Sequence, residues 1–308
     1  MRREIILGVM AGLLVWGCKK QAPSAVDAGA RAEAPPAGKV TVPPPPARIA
    51  AAGEAEVEPN DSAENATLIV AGKTLRGTLE LHDGQADVDH FKVASPYPRG
   101  ILRVEVTGVP GVDLVLEVFQ QGSRQRLVRA DNGRVGSGEV VPNVGVGVGD
   151  YLIVVRQPRE QKASSNVPYQ LTVTVRPADE GEEREPNDTR AEAKDRAVGK
   201  DLRGYLGHKG DIDWFKFLLP PRAKAQALRV ALTVPPGLDY DSVEVFDENE
   251  ALLKKLESAK GENVVIEGLR VEPAQKFVYV VLRAGRKFNA KKRYVLSTQL
   301  ADLVGPAH

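Results

Sequence analysis

From residue 54 onward, apolar and polar residues alternate in short runs. Leu102, Val104 and Val106 alternate with Arg103, Glu105 and Thr107, and Leu171, Val173 and Val175 with Thr172 and Thr174. Leu228, Val230 and Leu232, set against Arg229 and Thr233, follow the same rule. A period of two marks strands with one face in a core and the other in water. Gly, Pro, Asn and Asp punctuate the runs at short intervals, without long helical patterns between them. The pattern predicts about eight short strands in each half of the chain and an all-β fold of antiparallel, jelly-roll-like β-sandwiches. Only the stretch after each Pro-Asn-Asp, such as Thr189 to Ala197, reads as a short helix.

The halves are copies of one unit. Glu56-Val57-Glu58-Pro59-Asn60-Asp61 returns as Glu183-Arg184-Glu185-Pro186-Asn187-Asp188, and GKTLRG at 72–77 returns as GKDLRG at 199–204. Asp87-Val88-Asp89-His90-Phe91-Lys92 matches Asp211-Ile212-Asp213-Trp214-Phe215-Lys216, and Glu117-Val118-Phe119 matches Glu244-Val245-Phe246. The order is kept throughout. This predicts two tandem modules, 54–176 and 181–300, with a short connection from Pro177 to Gly181 and a tail at 301–308.

The beginning of the chain reads differently. Arg2 and Arg3 precede an apolar run from Ile5 to Trp16, shorter than the roughly 20 residues a membrane-spanning helix needs. Residues 1–17 therefore read as a signal peptide. Gly17-Cys18 resembles the lipobox of bacterial lipoproteins, although Trp16 stands where that pattern has a smaller residue. The resemblance implies cleavage before Cys18 and attachment of lipid, palmitate included, to it. Residues 18–53 are rich in Ala and Pro and poor in large apolar residues, which predicts a disordered but stiff tether from the membrane. The expected location is the bacterial cell envelope, lipid-anchored, at the outer membrane on its periplasmic or surface face.

Composition narrows the function classes. Removing residues 1–17 takes Arg2, Arg3 and Glu4 from 42 basic and 41 acidic residues, leaving 40 of each sign. A neutral chain argues against a nucleic-acid partner. Cys18 is the one cysteine, so no internal disulfide forms, and the His residues are confined to 82, 90, 208 and 308. No H-E-x-x-H, G-x-S-x-G or P-loop motif is present. His208 in particular lacks evident zinc partners in the repeat. The expectation is that the protein is not an enzyme.

The chemistry of the repeat is acidic. Glu56, Glu58, Asn60, Asp61, Asp87 and Asp89 in the first module, and Glu183, Glu185, Asn187, Asp188, Asp211 and Asp213 in the second, offer five carboxylates and one amide each. Ca²⁺ takes six to eight such hard oxygen ligands. The same residues also suit a second role, with Asn-Asp capping a short helix and Asp-x-Asp forming a solvated turn. The ordered set E-x-E-P-N-D, G-x-x-L-R-G, D-x-D-[HW]-F-K and Gly-x-Asp resembles the bacterial pre-peptidase C-terminal domain, a family that includes the collagen-binding domains of clostridial collagenases. The resemblance implies a β-sandwich found beside secreted peptidases and, in some members, a calcium site made by the acidic segment and the D-x-D loop.

These features together predict a non-catalytic envelope protein whose paired modules bind an extracellular or envelope protein or polysaccharide, with one calcium per module. Two other classes fit the same sequence: a divergent hydrolase using Asp87, Asp89 and Glu58, and a purely structural spacer. An exposed aromatic or apolar patch separates the binding class from the spacer. Phe91 and Phe215 read as core residues, and Trp214, beside Phe215, as facing the other way. Arg283, Arg286, Lys287, Lys291, Lys292 and Arg293 read as a basic hairpin loop, solvated or anion-binding.

Overall fold

The computed structural model describes residues 54–158, 161–257, 261–286 and 288–303, with the His82 side chain excepted. The expected signal peptide, Cys18, the Ala- and Pro-rich tether, Lys287 and most of the tail lie outside them. The first module runs β1 (Thr67–Leu68), β2 (Lys73–Leu79), β3 (Leu81–His82), β4 (Gln85–Ala86), β5 (Val88–Ser95), β6 (Gly100–Val106), β7 (Val115–Gln120), β8 (Arg126–Ala130), β9 (Glu139–Val146), β10 (Gly149–Arg156) and β11 (Ser165–Pro177). Two sheets form, ordered β1-β5-β10-β7-β8 and β2-β11-β6-β9, while β3 and β4 make a separate small hairpin.

The second module runs β12 (Lys194–Ala197), β13 (Leu202–Gly204), β14 (Ile212–Leu218), β15 (Gln226–Thr233), β16 (Tyr240–Phe246), β17 (Leu252–Glu257), β18 (Val264–Val271), β19 (Phe277–Ala284) and β20 (Tyr294–Asp302). Its sheets, β12-β14-β19-β16-β17 and β13-β20-β15-β18, repeat the order of the first. Even the irregularities recur. The β6–β9 register slips between Leu102 and Val104, and β15–β18 slips between Leu228 and Val230.

The alternating residues make the cores as their spacing requires. Leu102, Val104, Val106, Leu171 and Val173 are buried in one, and Leu228, Val230, Leu232 and Leu296 in the other. Phe91 and Phe215 are core residues, and Phe91 meets Tyr169 edge-on. Each such side chain contributes roughly 1.5–3 kcal/mol by leaving water.

Three local features depart from the sequence reading. Thr189 to Ala197 is not one helix: a single 3-10 turn, Arg190–Glu192, closes against Thr189 and gives way to β12. A run this short cannot offset helix nucleation, whereas its backbone finds a ready partner at the edge of β14. β12–β14 and β1–β5 pair in parallel, so the sheets are antiparallel except at that edge. The basic residues of 283–293 do not share one loop. Arg283 lies inside β19 and binds Glu244 at 3.2 Å, while Arg293 packs over the Tyr205 ring and reaches Glu182 at 2.9 Å.

The connection between modules is tied down. Arg176, at the end of β11, grips both oxygens of Glu182 at 2.7 Å, and Arg196 donates to the Glu182 carbonyl at 2.8 Å. Beyond it the acidic segment of the second module lies against the edge of the first module's β9. Gly145 N donates to Glu185 O at 2.7 Å and Glu185 N to Asn143 O at 3.0 Å. A side chain at Gly145 would press on Arg184 and Glu185, so the glycine permits this approach.

Candidate metal centres

Each module folds its E-x-E-P-N segment across the sandwich entrance. The x residue is anchored at the parallel edge: Val57 N donates to Thr67 Oγ1 at 3.1 Å, and in the copy Lys194 Nζ donates to Arg184 O and Pro186 O, both at 2.7 Å. Both Glu-Pro bonds are cis. The Asn then feeds the D-x-D strand, as Asn60 O accepts His90 N at 3.1 Å and Asn187 O accepts Trp214 N at 2.9 Å. The first glutamate of each segment turns inward. Thr78 N donates to Glu56 at 2.6 Å and Tyr205 N to Glu183 at 2.7 Å.

The G-x-x-L-R-G motif makes room for this. Gly72 and Gly199 take left-handed backbone, with φ of +86° and +90°. Gly77 and Gly204 sit beneath a tyrosine, and a Cβ on Gly77 would collide with Tyr169 and Glu56, one on Gly204 with Tyr294 and Glu183. Tyr169 donates to Asp89, and Tyr294 to Asp213 at 2.7 Å. These tyrosines were not singled out by the sequence. Their signal was their position in the repeat, Tyr169 within the last strand of the first module and Tyr294 opening the last strand of the second.

In the second module, ligand atoms of Glu183, Glu185 and Asp213 lie within 4.8 Å of one another, with all three residues buried. Glu56, Glu58 and Asp89 make the equivalent group in the first, where Glu58 is exposed. Asn187 Nδ2 donates to Glu183 at 3.0 Å and Asn60 Nδ2 to Glu56 at 3.3 Å. The amide oxygens of both asparagines are buried without a hydrogen-bond partner, as are Oδ1 of Asp89 and of Asp213. Asp87 is buried and accepts Glu80 N at 3.2 Å, while Asp61 is exposed and outside the first group.

Three of the five expected carboxylates group in this way in each module. Asp188 and Asp211 assemble with His208 in a second, neighbouring group whose ligand atoms also lie within 4.8 Å. The repeat supplies His208 with the two carboxylate neighbours that the sequence did not reveal. Among the described residues the first module offers no counterpart. Its equivalent loop is longer and carries the β3–β4 hairpin.

Electrostatics in the first group is strained by like charge. Burial, with the charges of Glu58 and Asp87, pushes the Glu56 carboxyl up to about 7. Burial and the charges of Glu56 and Asp87 push Asp89 up to about 10. In the second module burial raises Glu183, and burial with neighbouring carboxylates raises Glu185 and Asp213 well above the usual range. Carboxylates so placed must stay protonated or face a cation. The donor set is all hard oxygen, with buried oxygens lacking partners, so the residues fit a calcium ion.

The outer faces of the five-stranded sheets carry a different chemistry. In the second module Trp214 stacks on Phe246 at 5.8 Å and meets Tyr279 edge-on, Tyr279 meets Phe277, and Lys216 lies over the Phe277 ring at 4.6 Å. Leu218 and Leu252, paired across strands with Phe277 and Phe246, are 42% and 53% exposed. The first module has Phe119, Leu152 and Val154 there. On the same face, beside each patch, a buried glutamate is held by arginine: Glu117 by Arg156 at 2.8 Å and Arg126 at 2.7 Å, and Glu244 by Arg283.

Among the described residues no helix is long and apolar enough to cross a membrane. No family profile and no curated protein matches the chain. Among solved structures it is similar to the pre-peptidase C-terminal domain of a collagenase from Bacillus anthracis, 14% identical over 35% of this chain and 94% of that one, TM-score 0.29. A protein from Eubacterium rectale designated as secreted is 8% identical over 79% of this chain and 81% of its own, TM-score 0.26. Another so designated, from Parabacteroides distasonis, is 8% identical over 71% and 91%, TM-score 0.18.

Proposed function

We propose that the chain is a non-catalytic, lipid-anchored envelope protein whose two sandwiches bind an envelope or extracellular protein or polysaccharide, each module being stabilised by one Ca²⁺. Cys18 would carry the lipid and residues 18–53 would set the reach. Glu56, Glu58, Asn60 and Asp89, with Asp87 beside them, would hold one ion, and Glu183, Glu185, Asn187 and Asp213 the other. The ion offsets carboxylate repulsion and fixes the segment that enters each sandwich.

The observation that carries this reading is convergence. Three carboxylates per module meet at one point, all three buried in the second module, and Asp213 and Asp89 are both 0% exposed. A hydrolase using Asp87, Asp89 and Glu58 needs its pair across a cleft that admits substrate, and Asp89 is instead sealed beneath Tyr169. Against a plain spacer stands the aromatic outer face around Trp214, since large rings with partly wet edges are typical of binding anchors. Two modules on one chain would add weak contacts into avidity.

The test is retention of envelope polysaccharide or protein by the immobilised full chain, with calcium and with chelator. Retention that is lost when both Trp214 and Phe246 are replaced by alanine supports the reading. Equal retention by that double variant, or none by the wild type, overturns it.

A further inference from the structure

The second cluster lies at the junction of the modules, and its loop is shaped by its own sequence. In Gly207-His208-Lys209-Gly210-Asp211, Gly207 N donates to Asp211 Oδ2 at 2.6 Å, Asp211 N to His208 O at 3.3 Å, and Gly210 takes a φ of +78°. The first module steadies this turn from outside. Asn132 Oδ1 accepts Lys209 N at 3.2 Å and its amide reaches Gly207 O at 3.5 Å. The His208 ring nitrogen Nδ1 stands 3.3 Å from Asp211 Oδ2, and Asp188 completes the triangle from the acidic segment.

Two observations separate this triangle from an ordinary acidic surface. Asp211 is 2% exposed, yet its Oδ1 has no hydrogen-bond partner. The triangle also opens onto a cavity of about 530 Å³ between the modules, lined from the first by Asp131, Asn132 and Asn143. A cation at the triangle would meet the orphaned Asp211 oxygen and still have room for water on its open side.

One imidazole with two carboxylates is not a calcium set. Ca²⁺ prefers oxygen alone, whereas neutral imidazole suits zinc and its neighbours in the first transition row. We propose that Asp188, His208 and Asp211 form a site for a zinc-class divalent cation, distinct from the carboxylate cages and, among the described residues, without a counterpart in the first module. Three protein ligands and an open side leave positions for water or for an oxygen or nitrogen donor arriving through the cavity. The site needs both modules, because Asn132 of the first helps hold the loop that carries His208.

The experiment uses the full chain with Co²⁺ and Zn²⁺ as probes, followed by visible absorption for imidazole-bound cobalt and by calorimetry for stoichiometry. One equivalent should bind, and H208A should weaken binding by more than about 100-fold, since even supporting residues cost 10–100-fold. The calcium-induced rise in melting temperature should persist in H208A, and the cobalt spectrum should persist in D213N, so the two sites fail independently. Melting of H208A without metal confirms that it folds. D188N serves as the second ligand variant, and it should also weaken cobalt. Undiminished binding in both variants, a cobalt spectrum without imidazole, or no cobalt or zinc bound by the wild type would each overturn the proposal.

Discussion

Asn143, in the first module, donates its side-chain amide to Glu183 of the second at 2.9 Å, inside a fully buried contact. The carboxylate cage of the second module is therefore finished by a residue from the first. The equivalent position on β18 is Gly268, which has no side-chain amide to give. The modules are chemically linked at their junction as well as strung on one chain.

Replacing Asn143 by alanine should cost about 1–3 kcal/mol, the usual penalty for leaving a buried acceptor short of a donor. Denaturant unfolding of the full chain measures it. Asn143→Asp should be worse without calcium, since it adds a carboxylate, and should recover more than the wild type when calcium is supplied.

The cages set a pH dependence. Glu56 has an ordinary value of 4.5 and a folded value of about 7. Between those two values the folded chain keeps a proton that the unfolded chain has lost. Unfolding then releases protons, so stability is full below the lower value and falls as pH rises through the upper, by roughly 3 kcal/mol from this one group. Bound calcium replaces the protons, so its stabilising effect should grow over the same interval. Thermal melts at pH 5 and pH 8, with calcium and with chelator, check both signs. A calcium-free protein more stable at pH 8 than at pH 5 would contradict this account.

Gly204→Ala should destabilise the second module by about 1–3 kcal/mol, typical of overpacking, because its new methyl meets Tyr294 and Glu183. Gly72→Ala, at positive φ but with open space around it, should cost about 1 kcal/mol and leave calcium binding intact. The contrast separates crowding of the cage from backbone strain, and calcium calorimetry on the two variants reads it.

Glu117→Gln should weaken the first module, most visibly near neutral pH. Burial alone would raise the Glu117 carboxyl, but Arg156 and Arg126 more than offset it and hold it below the usual range. Its contribution is therefore present above the unfolded value and lost as pH falls through the lowered folded value. The difference between wild type and variant should shrink in acid.

Much of the architecture was legible in the chain. The period of two around Leu102 and Leu228 placed the cores, and the repeated motifs gave the pairing of modules, because both follow from local spacing. The grouping of the acidic residues was not legible. Whether Asp211 faces Glu183 or His208 depends on the turn that Gly210 allows and on support from Asn132, seventy-five or more residues earlier. Asn143 could have been flagged as a lone amide in the apolar run of β9, but its partner is set by docking between modules. The basic residues after Arg283 misled, because strand pairing with β16 captures Arg283 and the Tyr205 ring captures Arg293.

Isothermal titration calorimetry on the full chain at neutral pH counts the calcium ions that the two cages hold. Two ions should bind per chain, one of which is lost in Asp213→Asn and the other in Asp89→Asn. Binding of no calcium, together with melting unchanged between calcium and chelator, would contradict calcium binding by the cages.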